Sequence, residues 1–233
     1  MISKKNKFIF IHIPKTAGVS IEKKFNYHGM RHHTYRWYLK NFPSDYIDKC
    51  FKFTIVRNPW DRLVSWYFYN SWRRDLPSCK KIYHPATKKG FSNWILSGCP
   101  HHWKKMDGTN WSKEKLDPLT QSDFLLDEYG KIDMDFIGRF EKLQKDFNKI
   151  CDKLGIKKEK LPYLNRSCHK HYSEYYDEET KQIVAERFKK DIEYFRYKFK
   201  RPPFLTRNIK IFKIFIKNNF PKLYSLIKKF KKI

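Results

Sequence analysis

Apolar and polar positions near the start of the chain switch from a strand-like to a helix-like pattern. Residues Phe8–Ile13 are β-branched, aromatic or otherwise bulky, which predicts a strand buried on both faces. Pro14 ends this run because proline cannot donate to a strand ladder. After Gly18, apolar residues recur with helical spacing between serine, glutamate and lysine. The sequence therefore predicts a strand, a short turn of small residues and an amphipathic helix.

The same pattern returns at residues 51–69. Phe51–Val56 predicts a second buried strand. Pro59 suits the first turn of a following helix, and Asn58 is a suitable cap for it. From Trp60 onward, apolar residues form one stripe along this helix.

A later helix is predicted over Glu178–Phe195. Asp177 is a suitable cap, and Ile183, Val184 and Phe188 are spaced to share one face. We expect this helix to pack on the core rather than to line a site.

Composition adds a strong charge to this picture. The chain has 233 residues, enough for one substantial core, and it is rich in aromatic side chains. Its 51 Lys and Arg exceed its 24 Asp and Glu, giving a net charge of +27. This charge predicts attraction to polyanions: nucleic acids, anionic glycans, phosphorylated cofactors or acidic membranes. Part of it reflects lysines on solvated helix faces.

The cysteines and the first residues indicate a reducing compartment. The five cysteines contain no C-x-x-C pair, so neither a disulfide framework nor a zinc site is indicated. No apolar run precedes Phe8, so we expect neither a signal peptide nor a transmembrane anchor there. The expected location is cytoplasmic, with peripheral contact to the inner face of a membrane as a further option.

Both turns carry the chemistry of an anion site. Backbone N–H groups converge where a helix begins, and Lys15 and Arg57 add full charges at the ends of their strands. Thr16 and Ser20 add hydroxyl donors. Two alternatives remain open. In the first, Lys15 is simply solvated in an ordinary turn. In the second, Arg57 forms a salt bridge to Asp61 across the first helical turn.

The two turns together resemble a known family. "PKTAGVS" at residues 14–20 and "VRNPWDRLVSWY" at residues 56–67 look like the two cofactor motifs of sulfotransferases that use 3′-phosphoadenosine 5′-phosphosulfate (PAPS). They are most similar to carbohydrate sulfotransferases related to heparan sulfate 2-O-sulfotransferase and to bacterial relatives. Residues 135–151 and 161–199 also look like family segments.

The resemblance implies a fold and a cofactor site. The implied fold is α/β and P-loop-like, with a central parallel sheet flanked by helices over residues 1–206. The first motif would surround the 5′-phosphosulfate of PAPS, and the second would bind its 3′-phosphate. Many relatives have threonine where this chain has Val19, so one hydroxyl contact is missing. The residues implied to bind the cofactor are Lys15, Thr16, Ala17, Gly18, Val19, Ser20, Arg57, Ser65, Asn165, Arg166 and Ser167.

The implied reaction transfers the sulfuryl group to a carbohydrate hydroxyl by in-line displacement. Lys15 is the implied catalytic cation, which stabilises the leaving phosphate. The base is a histidine within "MRHHTYRWY" at residues 30–38: His33 matches the family best, and His32 is the alternative. A sulfuryl group carries less negative charge than a phosphoryl group, so no metal is expected.

The implied acceptor is a polysaccharide, oligosaccharide or glycolipid, with anionic and lipid-linked acceptors included. Arg139 and Glu141 are implied to line this substrate site; alternatively they form a structural ion pair beside core residues. Residues 73–118 are expected to be a loop region that faces the acceptor, since such loops tend to set specificity. Its basic residues either attract an anionic glycan or are ordinary solvated charges.

The last segment, residues 207–233, has nine Lys or Arg and no acidic residue. Leu223, Ile227 and Phe230 recur on one helical face opposite several lysines, the pattern of a helix on an anionic membrane surface. Docking onto the globular domain is the alternative. The interruptions by lysine argue against a spanning helix.

Two other function classes remain as rivals. The charge and aromatic content fit a nucleic-acid-binding protein, although the most ordered basic features lie at strand-to-helix turns and no specific nucleic acid is expected. A nucleotide kinase with an atypical phosphate loop shares the strand-turn-helix site. It would need the Walker order, whereas here Lys15 precedes the glycine.

Overall fold

The computed structural model describes residues 1–29, 32–74, 89–99, 120–164 and 169–201, without the side chains of residues 70–74. Met1–Lys198 forms one compact unit, and Phe199–Ile233 is a separate unit. The basic segment 207–233 lies outside the described residues, so the domain boundary at residue 206 stays a prediction.

A four-stranded sheet lies at the centre of Met1–Lys198, in the order β1-β2-β3-β4. The three longer strands are parallel, with Phe10 opposite Phe53 and Phe53 opposite Phe136. The short first strand pairs antiparallel with the second. The strands are β1 (Ile2–Ser3), β2 (Phe8–Ile11), β3 (Phe51–Val56) and β4 (Phe136–Arg139).

Eight helices are described around this sheet. They are α1 (Gly18–Lys24), α2 (Tyr35–Asn41), α3 (Ser44–Asp48), α4 (Pro59–Arg74), α5 (Phe91–Leu96), α6 (Leu143–Leu154), α7 (Glu178–Arg187) and α8 (Lys189–Tyr194). Two short 3₁₀ turns, Phe140–Lys142 and Tyr172–Glu174, complete the described elements. None of the described helices is both long and apolar enough to cross a membrane.

The two faces of the sheet bury separate apolar clusters because side chains alternate along each strand. Phe8, Phe10 and Phe53 pack on one face against α1 and α6. Ile9 and Ile11 pack on the other face against α2 and α3. All five side chains are fully buried. The prediction of a parallel sheet that is buried on both faces and flanked by helices is confirmed.

The strand and cap predictions also hold in detail. The second predicted strand coincides with β3. The first predicted strand begins at Phe8 as expected but ends at Ile11, two residues earlier than predicted. Asn58 Oδ1 accepts from the N–H of Trp60 at 3.1 Å, as expected of a cap at the start of α4. Asp177 forms a reciprocal capping box with Thr180 at the start of α7. β1 was not predicted, because a two-residue strand carries no periodic signal.

The predicted helix over Glu178–Phe195 is wrong in one respect, since it divides into α7 and α8 at Phe188. Phe188 has φ −105° and ψ 24°, which lies outside helical geometry. Its N–H still donates to the Val184 carbonyl at 3.0 Å, and its carbonyl accepts from Ile192. The division is therefore a kink around a buried side chain, and both halves stay on the core.

Candidate active site

The parallel strands bring three chain segments to one edge of the sheet. In a parallel sheet the carboxyl ends of the strands lie together, and ligands bind there in open α/β folds. β2 leads into residues 12–17, which we call the first loop; β3 leads into Arg57; and β4 leads into Phe140. Both predicted motifs therefore meet at this edge.

The first loop has a tightly fixed backbone. Lys15 and Ala17 both adopt positive φ angles, 70° and 68°, which are uncommon for residues with a Cβ. The buried Thr16 hydroxyl donates to the Ile13 carbonyl at 2.8 Å. The N–H of Ser20 donates to the Ala17 carbonyl at 3.0 Å. The Thr16 hydrogen is thus used within the loop in this structure, and the assignment of Thr16 to cofactor binding stays a prediction.

Lys15 is half-buried and lies against α4. Its Nζ is 3.7 Å from the centroid of the Tyr69 ring, a cation–π contact. Lys15 is therefore held over an aromatic face at the mouth of the first loop, rather than being simply solvated.

Arg57 connects the second motif to the first. Its Nε donates to Asp61 at 2.8 Å, so the salt bridge considered as an alternative is present. Its Nη1 also donates to the Lys15 carbonyl at 3.2 Å, and the guanidinium lies 3.9 Å from the Phe140 ring centroid. The Arg57 backbone is fixed by Gln121, whose amide exchanges two hydrogen bonds with it at 2.8 and 2.7 Å. One guanidinium thus contacts the first loop, the start of α4 and the residue that follows β4.

A second arginine lies beneath the first loop. Arg62 is 1% exposed, and its Nε donates to the Pro14 carbonyl at 3.0 Å. Burial lowers the pKa of Arg62 to about 10, so the guanidinium remains charged at neutral pH. Arg62 was not assigned from the sequence, although it lies within the second motif. It adds a buried positive charge behind the loop that carries Lys15.

Asp191 supports this arrangement from α8. It is fully buried and accepts from the N–H groups of Gln121 and Ser122 and from the Ser122 hydroxyl, at 2.7 to 2.9 Å. Burial raises the pKa of Asp191, while these donors and the charge of Arg62 oppose the shift. Asp191 therefore holds Gln121 where it binds Arg57. Neither Gln121 nor Asp191 was assigned from the sequence.

His12 and Glu22 form a buried pair beside the first loop. The Nδ1 of His12 lies 2.7 Å from Glu22 Oε1, and the two side chains are only 3% and 1% exposed. Gly18 lies directly against the imidazole, since a Cβ on Gly18 would come within 2.2 Å of Nε2. This pair was not predicted from the sequence. The sequence contained only one weak signal for it: a histidine in a predicted buried strand, ten residues before a glutamate.

The two candidate bases occupy different environments. His32 is half-buried, has φ 67°, and its ring centroid lies 4.2 Å from that of His12. Its Nδ1 is 3.0 Å from the His12 carbonyl, which can only accept, so Nδ1 carries the hydrogen and neutral His32 has its lone pair on Nε2. His33 is 5% exposed and stacks on Trp37 at 3.5 Å. Burial lowers the pKa of His33.

Arg139 and Glu141 contact the chain rather than each other. Arg139 donates to the Phe195 carbonyl at 2.6 Å, and Glu141 accepts from the N–H of Asn58 at 2.7 Å and from the Tyr197 hydroxyl at 3.2 Å. No ion pair joins Arg139 to Glu141 within the described part of the chain. Both fix the segment after α8 to the site edge, and their assignment to substrate binding stays a prediction.

The structure describes only some of the remaining assigned residues. Ser65 is buried on α4, and Val19 is half-buried on α1. Asn165, Arg166 and Ser167 lie outside the described residues, as does most of the region 73–118. Among the residues that the structure describes, no three His, Cys, Asp or Glu side chains cluster closely enough to hold a metal ion.

A protein-family model covers most of the chain. The model of the sulfotransferase family matches residues 1–198, the same span as the compact unit. An uncharacterized protein of Archaeoglobus fulgidus is 27% identical over 137 residues, which is 58% of this chain and 94% of that protein. No solved structure matches the chain. Because the family model covers most of the sequence, the chain belongs to the sulfotransferase family.

Proposed function

We propose that this protein transfers a sulfuryl group from PAPS to a hydroxyl group of a carbohydrate. The observation that carries the proposal is the 3.2 Å hydrogen bond from Arg57 Nη1 to the Lys15 carbonyl. It joins two basic strand-to-helix turns at the ends of adjacent parallel strands. A ligand with an anionic group at each end fits two such turns better than a single phosphate does.

The donor groups on the chain fit PAPS. Lys15 supplies a compact cation in the first loop. Arg57 supplies a guanidinium, a group that binds two oxygens of one phosphate at the same time. Arg62 adds a buried charge behind the loop. Lys15 with the backbone of residues 16–19 would hold the phosphosulfate end, and Arg57 with Ser65 would hold the 3′-phosphate.

PAPS supplies an activated sulfuryl group on a phosphate leaving group. In this proposal the Lys15 ammonium would lie next to the leaving phosphate, where negative charge grows during the transfer. Tyr69 and the fixed loop backbone limit the positions that this ammonium adopts. Arg57 would orient the nucleotide, and its own position is fixed by its contacts with the Lys15 carbonyl and the Phe140 ring.

We assign the base to His32 rather than to His33. His32 packs on the residue that begins the first loop, and its basic nitrogen is Nε2. His33 stacks on Trp37, and burial lowers its pKa, so it accepts a proton less readily. In this proposal His32 Nε2 accepts the proton of the acceptor hydroxyl.

The carbohydrate acceptor is supported by the motif resemblance and by the net charge of +27, which suits an anionic glycan. A membrane role for residues 207–233 is part of the same proposal: a basic amphipathic segment would bring the enzyme to lipid-linked acceptors.

Calorimetry with 3′-phosphoadenosine 5′-phosphate (PAP), the desulfated product, tests the donor site. We expect PAP to bind the wild type, and Lys15→Ala and Arg57→Ala each to weaken it about 10- to 100-fold, the value of one charged hydrogen bond. Arg36→Ala is the matched control, because Arg36 is exposed and donates to the Asp127 carbonyl away from both motifs.

Two results would contradict the proposal. One is preferential binding of ATP with Mg²⁺ over PAP, which would favour a kinase. The other is binding of oligonucleotides at physiological salt with no binding of PAP, which would favour a nucleic-acid-binding protein.

A further inference from the structure

The pair formed by His12 and Glu22 is one of the most enclosed polar contacts in the described part of the protein. Both side chains are nearly inaccessible, and the distance of 2.7 Å between Nδ1 and Oε1 is that of a strong hydrogen bond. Burying an imidazole beside a carboxylate is costly unless the two satisfy each other. A buried polar pair next to a reaction site therefore suggests a role in the geometry of that site.

His12 is enclosed on several sides by residues of the candidate site. The Phe10 ring stacks on it at 5.8 Å, the His32 ring packs at 4.2 Å, and the Gly18 backbone lies against its Nε2 edge. Its ring therefore has little room to rotate. Glu22, which lies one helical turn after Gly18 in α1, is hydrogen-bonded to Nδ1 of His12 and holds the ring from that side.

His12 also controls His32 through its backbone. The His12 carbonyl accepts the Nδ1 hydrogen of His32 at 3.0 Å. That bond selects the tautomer whose lone pair lies on Nε2. The ring of His12 then limits the angle of the His32 ring, so one residue fixes both the tautomer and the orientation of the proposed base.

We infer that His12 and Glu22 are positioning residues for His32: the Glu22 carboxylate fixes the His12 ring, and His12 fixes His32 as the Nδ1–H tautomer beside the first loop. This inference rests on the proposed function, because it assigns the pair to the same reaction. Neither residue contacts the reacting groups in this scheme. Their effect is on the rate of transfer rather than on the binding of the donor.

Two variants test the inference. Glu22→Gln keeps the volume of the side chain and removes its charge, and His12→Ala removes the ring. We expect kcat for sulfuryl transfer to fall about tenfold in the first and about 100-fold in the second, as expected when a catalytic group is misplaced. The dissociation constant of PAP should change less than about threefold, because Lys15 and Arg57 remain in place.

Glu159→Gln is the matched control. Glu159 pairs with Lys24 of α1, like Glu22 an acid bound to a basic side chain, but it lies on the surface. The same substitution there should leave kcat unchanged. If His12→Ala does not fold, Glu22→Gln carries the test because it is isosteric.

A spectroscopic readout is independent of activity. NMR of the imidazole nitrogens should show wild-type His32 as the Nδ1–H tautomer. The carbonyl of residue 12 is kept in His12→Ala, but without the His12 ring the His32 ring should turn away from that carbonyl, which shifts His32 toward Nε2–H, and more weakly in Glu22→Gln. If the wild type transfers no sulfuryl group, the proposed function fails, and the tautomer still decides whether the pair positions His32.

Three outcomes would overturn the inference. The first is wild-type His32 as the Nε2–H tautomer. The second is an unchanged tautomer and kcat in both variants. The third is a loss of kcat that is matched by an equal loss of PAP affinity, since the pair would then maintain the fold of the first loop and nothing more.

Discussion

Gly18→Ala should destabilise the protein by more than any ordinary change at the start of a helix. An added Cβ would lie 2.0 Å from Cδ2 and 2.2 Å from Nε2 of His12, whereas ordinary contacts begin near 3.4 Å. The His12 ring would have to retreat by about 1.4 Å, but Phe10, His32 and Glu22 hold it. The only ways to accommodate the methyl group are to displace α1 or to break the bond to Glu22.

The expected cost follows from these two routes. Overpacking a core typically costs about 1–3 kcal/mol. Losing a buried hydrogen bond to a charged group costs about 1.5–3 kcal/mol. Because the protein takes the cheaper of the two routes, we expect the free energy of unfolding to fall by about 1.5–3 kcal/mol, a sizeable part of the roughly 5–15 kcal/mol typical of a domain.

Urea unfolding followed by tryptophan fluorescence measures this loss, and a double-mutant cycle identifies its cause. When His12→Ala removes the ring, Gly18→Ala should lose most of its cost, so the double variant should be more stable than the sum of the single variants by about 1–3 kcal/mol. Additive costs, or a Gly18→Ala protein as stable as the wild type, would refute the argument that the His12 ring is what requires glycine here.

Three further predictions concern stability. Asp191→Asn should lower the free energy of unfolding by about 2 kcal/mol, because an NH₂ group would face buried N–H donors; equal urea midpoints for the two proteins would contradict this. Asp177→Ala should cost about 1 kcal/mol at pH 7. Its hydrogen bonds with Thr180 lower the pKa of Asp177, so this contribution should be lost as the pH falls through that lowered pKa, and Asp177→Asn should keep most of it at all pH values. Burial lowers the pKa of His33, so the unfolded chain takes up a proton first as the pH drops below about 6.5. Thermal unfolding of His33→Phe should then depend less on pH below that value than wild-type unfolding does, and equal slopes would contradict the burial argument.

The strands and the site edge could be predicted because their signals are local. Buried runs, Pro14 and the cap at Asn58 each act within a few residues of the chain. Two such units in succession place their turns at one edge of a parallel sheet. The contact between Lys15 and Arg57 in the structure follows from that topology.

The supporting contacts could not be predicted because they join distant positions. Gln121 fixes Arg57 across 64 residues, and Asp191 holds Gln121 across 70. Arg62 looked like a polar position on an amphipathic helix, yet the first loop covers it. Only the packing of the whole unit gives these side chains partners, so periodicity along one element does not reveal them.

The salt bridge of Arg57 to Asp61 does not exclude its predicted role at an anion site, which stays a prediction. A salt bridge to Asp61 and a role at an anion site were alternatives in the sequence, and in the structure Nε serves the first while Nη1 reaches the first loop. A guanidinium has five N–H donors, so one contact does not exclude another.

Our central proposal is that the Lys15 ammonium promotes sulfuryl transfer from PAPS to a carbohydrate by stabilising the leaving phosphate. The most direct measurement incubates wild type and Lys15→Ala with PAPS carrying radioactive sulfur and with separate polysaccharide and glycolipid fractions from the source organism. The account predicts label in a carbohydrate product with the wild type and a loss of at least about 100-fold with Lys15→Ala, the size expected when one preorganised charge is removed. Equal labelling by the two proteins would contradict it.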